Sequence, residues 1–567
     1  MGQLEKLTIK CMFEESIKLY GDRPSLAHVG QKPMTYNELG QKVKEVQILL
    51  QDRGIQKGDK VVILSENRVN WGVAYLAIVT MGAVAVPILP DFHQNEIQHI
   101  IRHSESKGIF VSEKLFPKIE DVKFPSVNFM ILINNFEPIK SGTKKSGLKE
   151  LLARGENELN KMKEAARKLS RKTTQDVEED DLAAIVYTSG TTGNSKGVML
   201  THKNLTFDAI AAMSAKKVET TDRFLSILPL SHTYECTVGF LIPVMNGASI
   251  YYFEKPPTPR LLLDAMQKVK PTVMLSVPLV IEKIYKTRIL PELQKNAVLR
   301  GLQRVPFLRN KIYEAAGKKL IKSFGGKIEF FGIGGALLAA DVEAFLRKAK
   351  FPYAIGYGLT ETSPISAGTG PEKTRYRSTG PALPGVQIKI HNPNPKTGEG
   401  EVWIKGPNVM KGYYRDPERT AEVITEDGWF KSGDLGVLDE DGYLYIKGRV
   451  KNMIVGPSGE NIYPEEIEAY FNEFEYVLET LVYMDKGKLT ARVHLNYEEL
   501  DKHFADENLT ETQIRERIKA LLEDLRIQVN ERVSSYSRIH RIIEQREPFE
   551  KTPTHKTKRY LYVTDNN

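Results

Sequence analysis

Short apolar runs recur along the first part of the chain and alternate with longer stretches of helical periodicity. Buried strands are predicted at residues 61–64, 109–111 and 129–133. Thr35 is positioned to cap a helix over residues 36–51 that ends near Gly54, and residues 26–36 predict a hairpin of short strands. Because strands separated by helices are typical of parallel sheets, the pattern predicts the α/β fold class.

Residues 69–90 carry no charge and are numerous enough to span a bilayer. The stretch is interrupted by Gly72, Gly82, Pro87 and Pro90. Since these residues break long helices, we interpret the stretch as a core helix over residues 71–80, a break, and a buried strand over residues 83–88. The prediction is therefore buried core and not a transmembrane helix.

Residues 141–180 differ in character from their surroundings, because Lys and Glu dominate them. Leucines at positions 148, 152 and 159 recur at roughly helical spacing. We predict a solvated helix that covers one edge of the domain. A helix lying on a membrane surface is the alternative, although the apolar face is thin and the charge is mixed.

The overall composition limits the class of protein. The 567 residues suffice for two or more domains, and the net charge of +8 is small, with no dense basic block. This balance argues against a nucleic-acid partner and is compatible with anionic substrates and peripheral membrane contact. Cys11 and Cys236 form no metal or redox motif, which indicates a reducing compartment. With no apolar signal region at the N-terminus, we expect a cytoplasmic protein.

Residues 187–197 read YTSGTTGNSKG and lie between two short apolar runs. Glycines allow backbone N–H groups to turn toward an anion, the hydroxyls donate further hydrogen bonds, and Lys196 adds a charge. The stretch therefore predicts a polyphosphate-binding loop. It is not a P-loop, because Ser195 precedes Lys196 and Gly197 follows it. A surface turn between two strands is the structural alternative.

Four later segments carry residues that can bind a nucleotide, and all but the first of them contain glycines. They are LPLSH at 228–232, FFGIGGA at 330–336, GYGLTET at 356–362 and SGDLG at 432–436. Tyr357 offers a flat face for a base, Glu361 offers an oxygen ligand for Mg²⁺, and Asp434 can accept both hydroxyls of a ribose. Taken singly, two of these residues have ordinary explanations: His232 as a hydrogen-bonded structural histidine, and Glu361 as a surface carboxylate.

The last part of the chain predicts a second unit. Residues 443–449 form an alternating strand pattern, and the residues beyond Lys451 contain enough strands and helices for a small α+β domain. Near the end, residues 553–556 read PTHK in a basic, polar stretch. A disordered tail is the alternative to a functional Lys556, and Lys551 and Lys558 are its rivals on composition.

Together and in this order, the motifs resemble those of the adenylate-forming ligases, the acyl-CoA synthetase superfamily. Residues 271–285 resemble the corresponding stretch of bacterial long-chain fatty acid–CoA ligases. The resemblance covers nearly the whole chain. It implies a large AMP-binding domain, residues 1–449, with stacked mixed and parallel sheets, helices and a small barrel-like part. A small mobile α+β domain, residues 450–567, follows it, with a hinge near Lys451.

The resemblance implies activation of a long-chain fatty acid by ATP to acyl-AMP and pyrophosphate, followed by transfer to CoA, with Mg²⁺ as the metal. The same motifs admit acyl carrier protein as the acceptor, or another carboxylic acid as the substrate. A non-catalytic fatty-acid or nucleotide-binding relative is the alternative from another class. Glu361 and a C-terminal lysine count against it. The expected partners are fatty acid, ATP and CoA, without nucleic acid.

The resemblance also assigns roles to individual residues. The implied catalytic residues are Lys556, Lys196, Glu361 and His232. The implied nucleotide-binding residues are Thr188, Ser189, Gly190, Thr191, Thr192, Gly193, Gly334, Gly335, Ala336, Gly356, Tyr357, Gly358, Thr360, Asp434, Arg449 and Lys451. The implied metal ligands are Thr188 and Glu361.

Overall fold

The computed structural model describes residues 4–140, 142–155, 157–161, 176–188, 195–255, 257–295, 297–455, 461–504, 510–552 and 557–563. Two sheets with parallel strands dominate the described chain up to about residue 360, and antiparallel strands follow. The α/β class predicted from the sequence is confirmed by this arrangement.

The larger sheet has eight strands and is parallel in its centre. In spatial order its strands are Gly412–Tyr413, Lys196–Thr201, Leu182–Thr188, Val84–Ile88, Lys60–Leu64, Gly108–Val111, Phe129–Leu132 and Glu137–Ile139. In this spatial order, the first two pairs of neighbouring strands and the last pair are antiparallel. The central strands are buried along their length because helices cover them, as is usual for parallel sheets.

The second sheet has six strands, and every pair in it is parallel. Its spatial order is Leu26–His28, Ser249–Tyr252, Arg223–Leu225, Val273–Ser276, Phe330–Ile333 and Tyr353–Ile355. All six carboxyl ends therefore lie at one edge of this sheet. The loops that follow the strands meet at that edge, where open α/β sheets bind their ligands.

Helices connect and cover the two sheets. Their bounds are Ile9–Tyr20, Tyr36–Asp52, Val69–Thr80, Gln94–Ser104, Leu148–Ala153, His202–Ala212, Ile242–Met245, Pro259–Val269, Pro278–Ile284, Leu290–Gln294, Ala297–Leu302, Pro306–Ser323, Ala340–Lys348 and Pro417–Val423. Two π-helical turns, Glu235–Leu241 and Tyr285–Ile289, interrupt the helical segments.

The uncharged stretch at residues 69–90 is core, as predicted. The helix Val69–Thr80 is buried on all sides, and the strand Val84–Ile88 follows it after a turn at Gly82. Trp71 and Tyr75 stack on each other, and both meet the ring of Phe240 edge-on. Within the described ranges, no helix combines the length and apolarity needed to cross a membrane.

Three further predictions have different outcomes in the structure. Thr35 caps the helix Tyr36–Asp52 with reciprocal bonds to Glu38, as expected. The hairpin predicted at residues 26–36 forms only at its base, where the backbone N–H of Met34 donates to Leu26 O and that of Ser25 donates to Met34 O. The strand Leu26–His28 pairs instead in parallel with Ser249–Tyr252. Of the solvated helix predicted within residues 141–180, the part at 162–175 lies outside the described residues.

An open antiparallel sheet of five strands stands where a barrel-like part was expected. Its order is Gly380–Pro381, Tyr443–Arg449, Phe430–Leu438, Gly400–Lys405 and Gln387–His391. Alternate residues of Gly400–Lys405 are buried, which is the pattern of a sheet with one covered face. The strand Tyr443–Arg449 leads directly into the C-terminal part of the chain.

The C-terminal residues build a core of their own. Its strands are Ile454–Val455, Asn461–Ile462, Val477–Asp485, Lys488–Leu495 and Arg541–Glu544, and its helices are Pro464–Asn472, Tyr497–Phe504 and Glu511–Asn530. Buried side chains from Ile462 to Ile539 form one apolar cluster that is separate from the clusters of the preceding sheets. This arrangement is α+β.

Candidate active site

Four loops converge at the carboxyl edge of the six-stranded sheet. They follow the strands Arg223–Leu225, Val273–Ser276, Phe330–Ile333 and Tyr353–Ile355. Because these strands are parallel neighbours, the loops bring His232, Gly334, Gly335, Ala336 and Gly356 to the same side of the sheet. The backbone N–H of Gly334 donates to Ser276 O, and that of Gly356 donates to Ile333 O, so the ladder continues into the loops.

Glycine is required at specific points of these loops. A Cβ at Gly358 would lie 1.8 Å from the carbonyl oxygen of Pro364, so no other residue fits the observed backbone. Gly335 has a φ of +88°, in the region that favours glycine. At Gly334 a Cβ would lie 3.3 Å from the ring of Tyr234. The glycines thus allow close packing of the loop backbones at the sheet edge.

The predicted phosphate loop connects two antiparallel strands. Thr188, at the end of one strand, is the ladder partner of Lys196, at the start of the next. Both residues therefore stand at the mouth of the connecting loop. Ser189, Gly190, Thr191, Thr192 and Gly193 lie outside the described residues.

Lys196 and Glu361 are linked through a tyrosine that sequence analysis did not identify. Lys196 Nζ lies 4.9 Å from the ring centroid of Tyr413, and the hydroxyl of Tyr413 donates to Glu361 Oε1 at 2.9 Å. Partial burial lowers the pKa of the Lys196 ammonium, assisted by the positive charges of Arg419 and Lys451 and opposed by Glu361. A half-buried cation whose charge is only partly balanced is suited to receive a phosphate anion.

Glu361 is held by its backbone as well as its side chain. It lies in the short 3₁₀ turn Thr360–Thr362, and its carbonyl accepts from Met410 N at 2.8 Å. The hydroxyl of Thr362 donates to the Leu359 carbonyl and accepts from the Leu359 N–H, which closes the turn. The carboxylate is thereby directed toward Tyr413 and Lys196.

Asp434, Arg449 and Tyr357 form a second cluster. Asp434 Oδ1 lies 2.8 Å from Arg449 Nε, and Asp434 Oδ2 accepts from the Tyr357 hydroxyl at 2.8 Å. The Asp434 carboxylate raises the pKa of the Arg449 guanidinium, and Glu361 contributes in the same direction. The charge of Glu361 raises the pKa of both Lys196 and Arg449. The two clusters therefore adjoin and form one site.

The segment that carries His232 is fixed by Asn67. The Asn67 side chain donates to Leu228 O at 2.6 Å and accepts from Leu230 N at 2.8 Å. Nδ1 of His232 accepts from the backbone N–H of Tyr234 at 3.2 Å. The ring is thus oriented by local backbone contacts, and Tyr234 packs against the glycines of the Phe330–Ile333 loop.

A buried acid directly follows this segment. Glu235 begins the π-helical turn, and burial raises its pKa to about 8. Its Oε2 has no hydrogen-bond partner in the described residues. π-Helical turns of this kind often occur at functional sites. No sequence signal marked Glu235, because an isolated glutamate in an apolar stretch does not reveal its burial.

The predicted C-terminal residues are only partly described. Lys451 lies in the 3₁₀ turn Val450–Asn452 that follows the strand Tyr443–Arg449, near enough to influence Lys196. Lys556 lies outside the described residues. Its two rivals both form ion pairs, Lys551 with Glu479 and Lys558 with Glu550.

The donor set matches what Mg²⁺ requires. Glu361 would supply one carboxylate and Thr188 one hydroxyl, and Mg²⁺ in phosphate-transfer sites takes one or two carboxylates together with substrate phosphates and water. No cluster of three or more His, Cys, Asp or Glu side chains suited to a metal occurs among the described residues. The residues present fit a metal that arrives with a nucleotide better than a metal held by the protein alone.

Comparisons with known proteins identify the family of the chain. A family model described as "AMP-binding enzyme" matches residues 13–414. The long-chain-fatty-acid–CoA ligase 1 of Cavia porcellus is 30% identical over 516 residues, which covers 84% of this chain and 72% of that protein. The chloroplastic long-chain-fatty-acid–[acyl-carrier-protein] ligase AEE15 of Arabidopsis thaliana is 29% identical over 567 residues. This alignment covers 87% of this chain and 76% of that protein.

Solved structures show the same overall architecture. ATP-bound MatB from Rhodopseudomonas palustris has a TM-score of 0.75 at 25% identity, with 98% of both chains covered. An anthranilate CoA ligase in complex with anthranoyl-AMP also has a TM-score of 0.75, at 19% identity, and covers 98% of this chain and 96% of its own. The similarity therefore extends through the C-terminal part as well as the sheets.

Proposed function

Because this chain belongs to the AMP-binding enzyme family, we propose that it is an AMP-forming ligase that activates a long-chain fatty acid with ATP and transfers the acyl group to CoA. The observation that carries the proposal is the adjoining pair of clusters at the sheet edge, Lys196–Tyr413–Glu361 and Tyr357–Asp434–Arg449. The names of the curated relatives support a long-chain fatty acid as the substrate.

In the first step, a carboxylate oxygen of the fatty acid attacks the α-phosphorus of ATP. The new O–P bond gives acyl-AMP, and the bond to the β-phosphate oxygen breaks to release pyrophosphate. Both reactants are anions, so the barrier includes their repulsion and the charge that develops on the phosphoryl oxygens. Lys196 offsets this charge, together with Lys556 and the N–H groups of the loop at residues 189–193. Mg²⁺ bound at Glu361 and Thr188 would neutralise phosphate charge.

The second cluster has a positioning role in this proposal. Asp434 accepts from the ribose hydroxyls, while Arg449 and Tyr357 hold its carboxylate in place. The backbone at Gly334, Gly335, Ala336, Gly356 and Gly358 borders the adenosine, with Thr360 beside it. His232 stands between the nucleotide and the acyl group. These roles keep the α-phosphorus oriented toward the carboxylate.

In the second step, the sulfur of CoA attacks the acyl carbonyl carbon. A thioester forms, the bond to the phosphate oxygen breaks, and AMP leaves as its anion while the thiol proton passes to solvent. A thiol with a pKa near 8.5 is a good nucleophile without a dedicated base. We therefore assign no general base to this step.

We also propose that the chain divides at residue 449, with residues 450–567 moving as a unit about Lys451. The separate apolar cluster of the C-terminal residues supports this division. Polar contacts join the two parts: the hydroxyl of Tyr463 donates to Glu399, and Lys447 pairs with Glu466. Polar contacts of this kind can exchange during a rotation more readily than an apolar interface.

The test is pyrophosphate release with a panel of carboxylic acids from short to long chains, with CoA or acyl carrier protein supplied in turn. We expect ATP-dependent release with long-chain acids and thioester formation with CoA. Thioester formation only with acyl carrier protein would favour the second candidate, which the similarity to the Arabidopsis ligase supports. Nucleotide binding without pyrophosphate release from any acid would contradict the proposal.

A further inference from the structure

Residues 294–311, which we call the tip, combine exposed apolar and basic side chains. Sixteen large apolar residues are exposed in the described chain, and four of them are Val298, Leu302, Val305 and Phe307. Val298 and Phe307 are 69% and 68% exposed, the two highest fractions of the sixteen. Such a concentration marks an interaction surface, since isolated exposed residues would be scattered over the molecule.

The four side chains are close together because of the local fold. Val298 and Leu302 lie four residues apart on the helix Ala297–Leu302, so they share one face. The backbone N–H of Val305 donates to Leu302 O, which turns the chain directly into the helix Pro306–Ser323. Phe307 is the second residue of that helix. The apolar residues thus occupy the end of a helical projection.

The helix Pro306–Ser323 packs on the rest of the protein from Tyr313 onward. The Tyr313 ring lies 5.3 Å from the Phe345 ring, and a Cβ at Gly317 would lie 2.1 Å from Ala349 O. Phe307 is six residues before Tyr313, which corresponds to about 9 Å along the helix. The end that carries Phe307 is therefore free to meet a surface while the other end is packed.

The charge of the segment is as distinctive as its exposure. Residues 278–323 contain eleven Lys and Arg against three Glu, a net charge of +8, which equals that of the whole chain. The tip itself has five basic residues and no acidic one. No more than two of these basic residues are adjacent in the sequence, so the segment contains no dense basic block.

Three of the five basic side chains of the tip are available to an anionic partner. None of Arg300, Arg304 and Lys311 forms an ion pair with any residue in the described part of the chain. Arg300 donates to Gln294 O, which uses one of its five N–H groups, and Lys311 Nζ lies 5.8 Å from the Phe307 ring centroid. Cations thus border the exposed apolar side chains.

From these observations we propose that the tip docks the protein on the surface of an anionic lipid bilayer. Apolar side chains flanked by basic residues on a helical surface have the composition of interfacial membrane segments. Val298, Leu302, Val305 and Phe307 enter the headgroup boundary, and Arg300, Arg304 and Lys311 contact lipid phosphates. An acidic protein would satisfy the charges equally well, but it would leave the projecting aromatic and aliphatic side chains without a defined pocket.

The tip is also connected to the candidate active site. Its segment begins at the carboxyl end of the strand Val273–Ser276, beside the loop at Gly334–Ala336. Glu282, on the first helix of the segment, accepts from Ala339 N at 2.8 Å just beyond that loop. If the proposed function holds, docking brings the site close to fatty acids dissolved in the bilayer. The docking itself does not depend on that function.

The experiment is flotation of the full chain with phosphatidylcholine vesicles that contain or lack phosphatidylglycerol, in the absence of ATP and fatty acid. We expect the parent to float only with the anionic vesicles and to be released by salt. R300Q/R304Q/K311Q should weaken binding about fivefold per residue, on the order of 100-fold in all. V298S/F307S should weaken it on the order of tenfold or more.

Matched controls carry the same changes elsewhere. K32Q/K396Q/K488Q removes the same net charge, and L19S/L478S removes two apolar side chains that are each about half exposed. Both should bind as the parent does, and thermal unfolding midpoints should show that every variant is folded. Equal flotation of tip and control variants, or capture of an acidic protein by the tip without vesicle binding, would overturn the proposal.

Discussion

Asp434 and Arg449 are joined twice. They are ladder partners on adjacent antiparallel strands, and their side chains form an ion pair of 2.8 Å between Oδ1 and Nε. The second oxygen of Asp434 accepts from the hydroxyl of Tyr357, which follows the strand Tyr353–Ile355 of the six-stranded sheet. The carboxylate is therefore fixed in direction by two partners before any ligand binds, and such preorganisation reduces the cost of orienting a nucleotide.

We expect Asp434→Asn to raise the KM for ATP on the order of 10- to 100-fold, because it removes a charge that accepts hydrogen bonds while keeping the shape of the side chain. Pyrophosphate release at varied ATP concentration measures the effect. Asp427→Asn is the control, since Asp427 is exposed in a turn outside the site. An unchanged KM in Asp434→Asn would remove this residue from the nucleotide site.

Lys196→Ala should lower the rate of acyl-AMP formation on the order of 10²- to 10³-fold, because a charged donor to the reacting phosphates is lost. Its ammonium lies over the Tyr413 ring and forms no ion pair among the described residues, so stability should change little. Lys411→Ala, an exposed lysine beside the same strand, serves as the control. Acyl-AMP formation by Lys196→Ala at the parent rate would contradict the phosphate-binding role of the loop.

Glu361→Gln should raise the Mg²⁺ concentration needed for half-maximal activity, because an amide oxygen is a poorer ligand for a hard cation. Tyr413→Phe is the matched variant: it removes the hydrogen bond to Glu361 Oε1 but keeps the carboxylate. We expect a smaller displacement of the Mg²⁺ titration in Tyr413→Phe than in Glu361→Gln. Identical titrations for Glu361→Gln and the parent would exclude Glu361 from the metal site.

The contrast between Glu361 and Tyr413 illustrates what the sequence could predict. Glu361, Asp434 and Thr35 stand in local patterns whose chemistry or geometry is contained within a few residues. Tyr413 lies more than 200 residues from Lys196 and meets it only because the strand Gly412–Tyr413 pairs with Lys196–Thr201 at the edge of the larger sheet. Contacts of this kind depend on strand order, which local patterns do not specify.

The burial of an acidic side chain cannot be predicted from local sequence either, for a similar reason. Glu235 and Asp208 are fully buried acids whose pKa values are raised by removal from water. Asp208 lies on the helix His202–Ala212 and accepts from the backbone N–H of Ile365, more than 150 residues away. Nothing in the surrounding sequence distinguishes them from the many solvated acids of the chain.

The raised pKa of Glu235 predicts a pH dependence of stability. An unfolded Glu ionises near 4.5, whereas the buried side chain keeps its proton up to about pH 8. Between these values the native state binds more protons than the unfolded state, so the free energy of unfolding falls as pH rises, by up to about 1.4 kcal/mol per pH unit from this group. Glu235→Gln cannot ionise and should lose this slope.

Urea unfolding of the parent and Glu235→Gln at several pH values would test this prediction. The pH values lie between about 4.5 and 8, the pKa values of Glu235 in the unfolded and native states. The variant should gain stability relative to the parent as pH rises. Glu426→Gln, at an exposed position, should run parallel to the parent. Parallel curves for Glu235→Gln as well would mean that this acid is already ionised in the native state.

The last prediction concerns the lysine of the small domain. In the proposed mechanism, Lys556 acts on ATP when residues 450–567 close over the site in one orientation, and the thiol then reaches the same acyl carbon in another. We therefore expect Lys556→Ala to abolish most acyl-AMP formation but to leave thioester formation from synthetic acyl-AMP and CoA largely intact. Lys551→Ala and Lys558→Ala are controls, because their ammonium groups already pair with Glu479 and Glu550.

Lys451→Pro should have the opposite effect. Proline fixes φ near −65°, which restricts rotation about the turn Val450–Asn452 after acyl-AMP has formed. Acyl-AMP formation should then persist while the thioester step slows, and the two variants together would separate the half-reactions in opposite directions. Equal loss of both half-reactions in Lys556→Ala would contradict the two-orientation model. So would damage from Lys551→Ala or Lys558→Ala with Lys556→Ala fully active, because the catalytic lysine would then be misassigned.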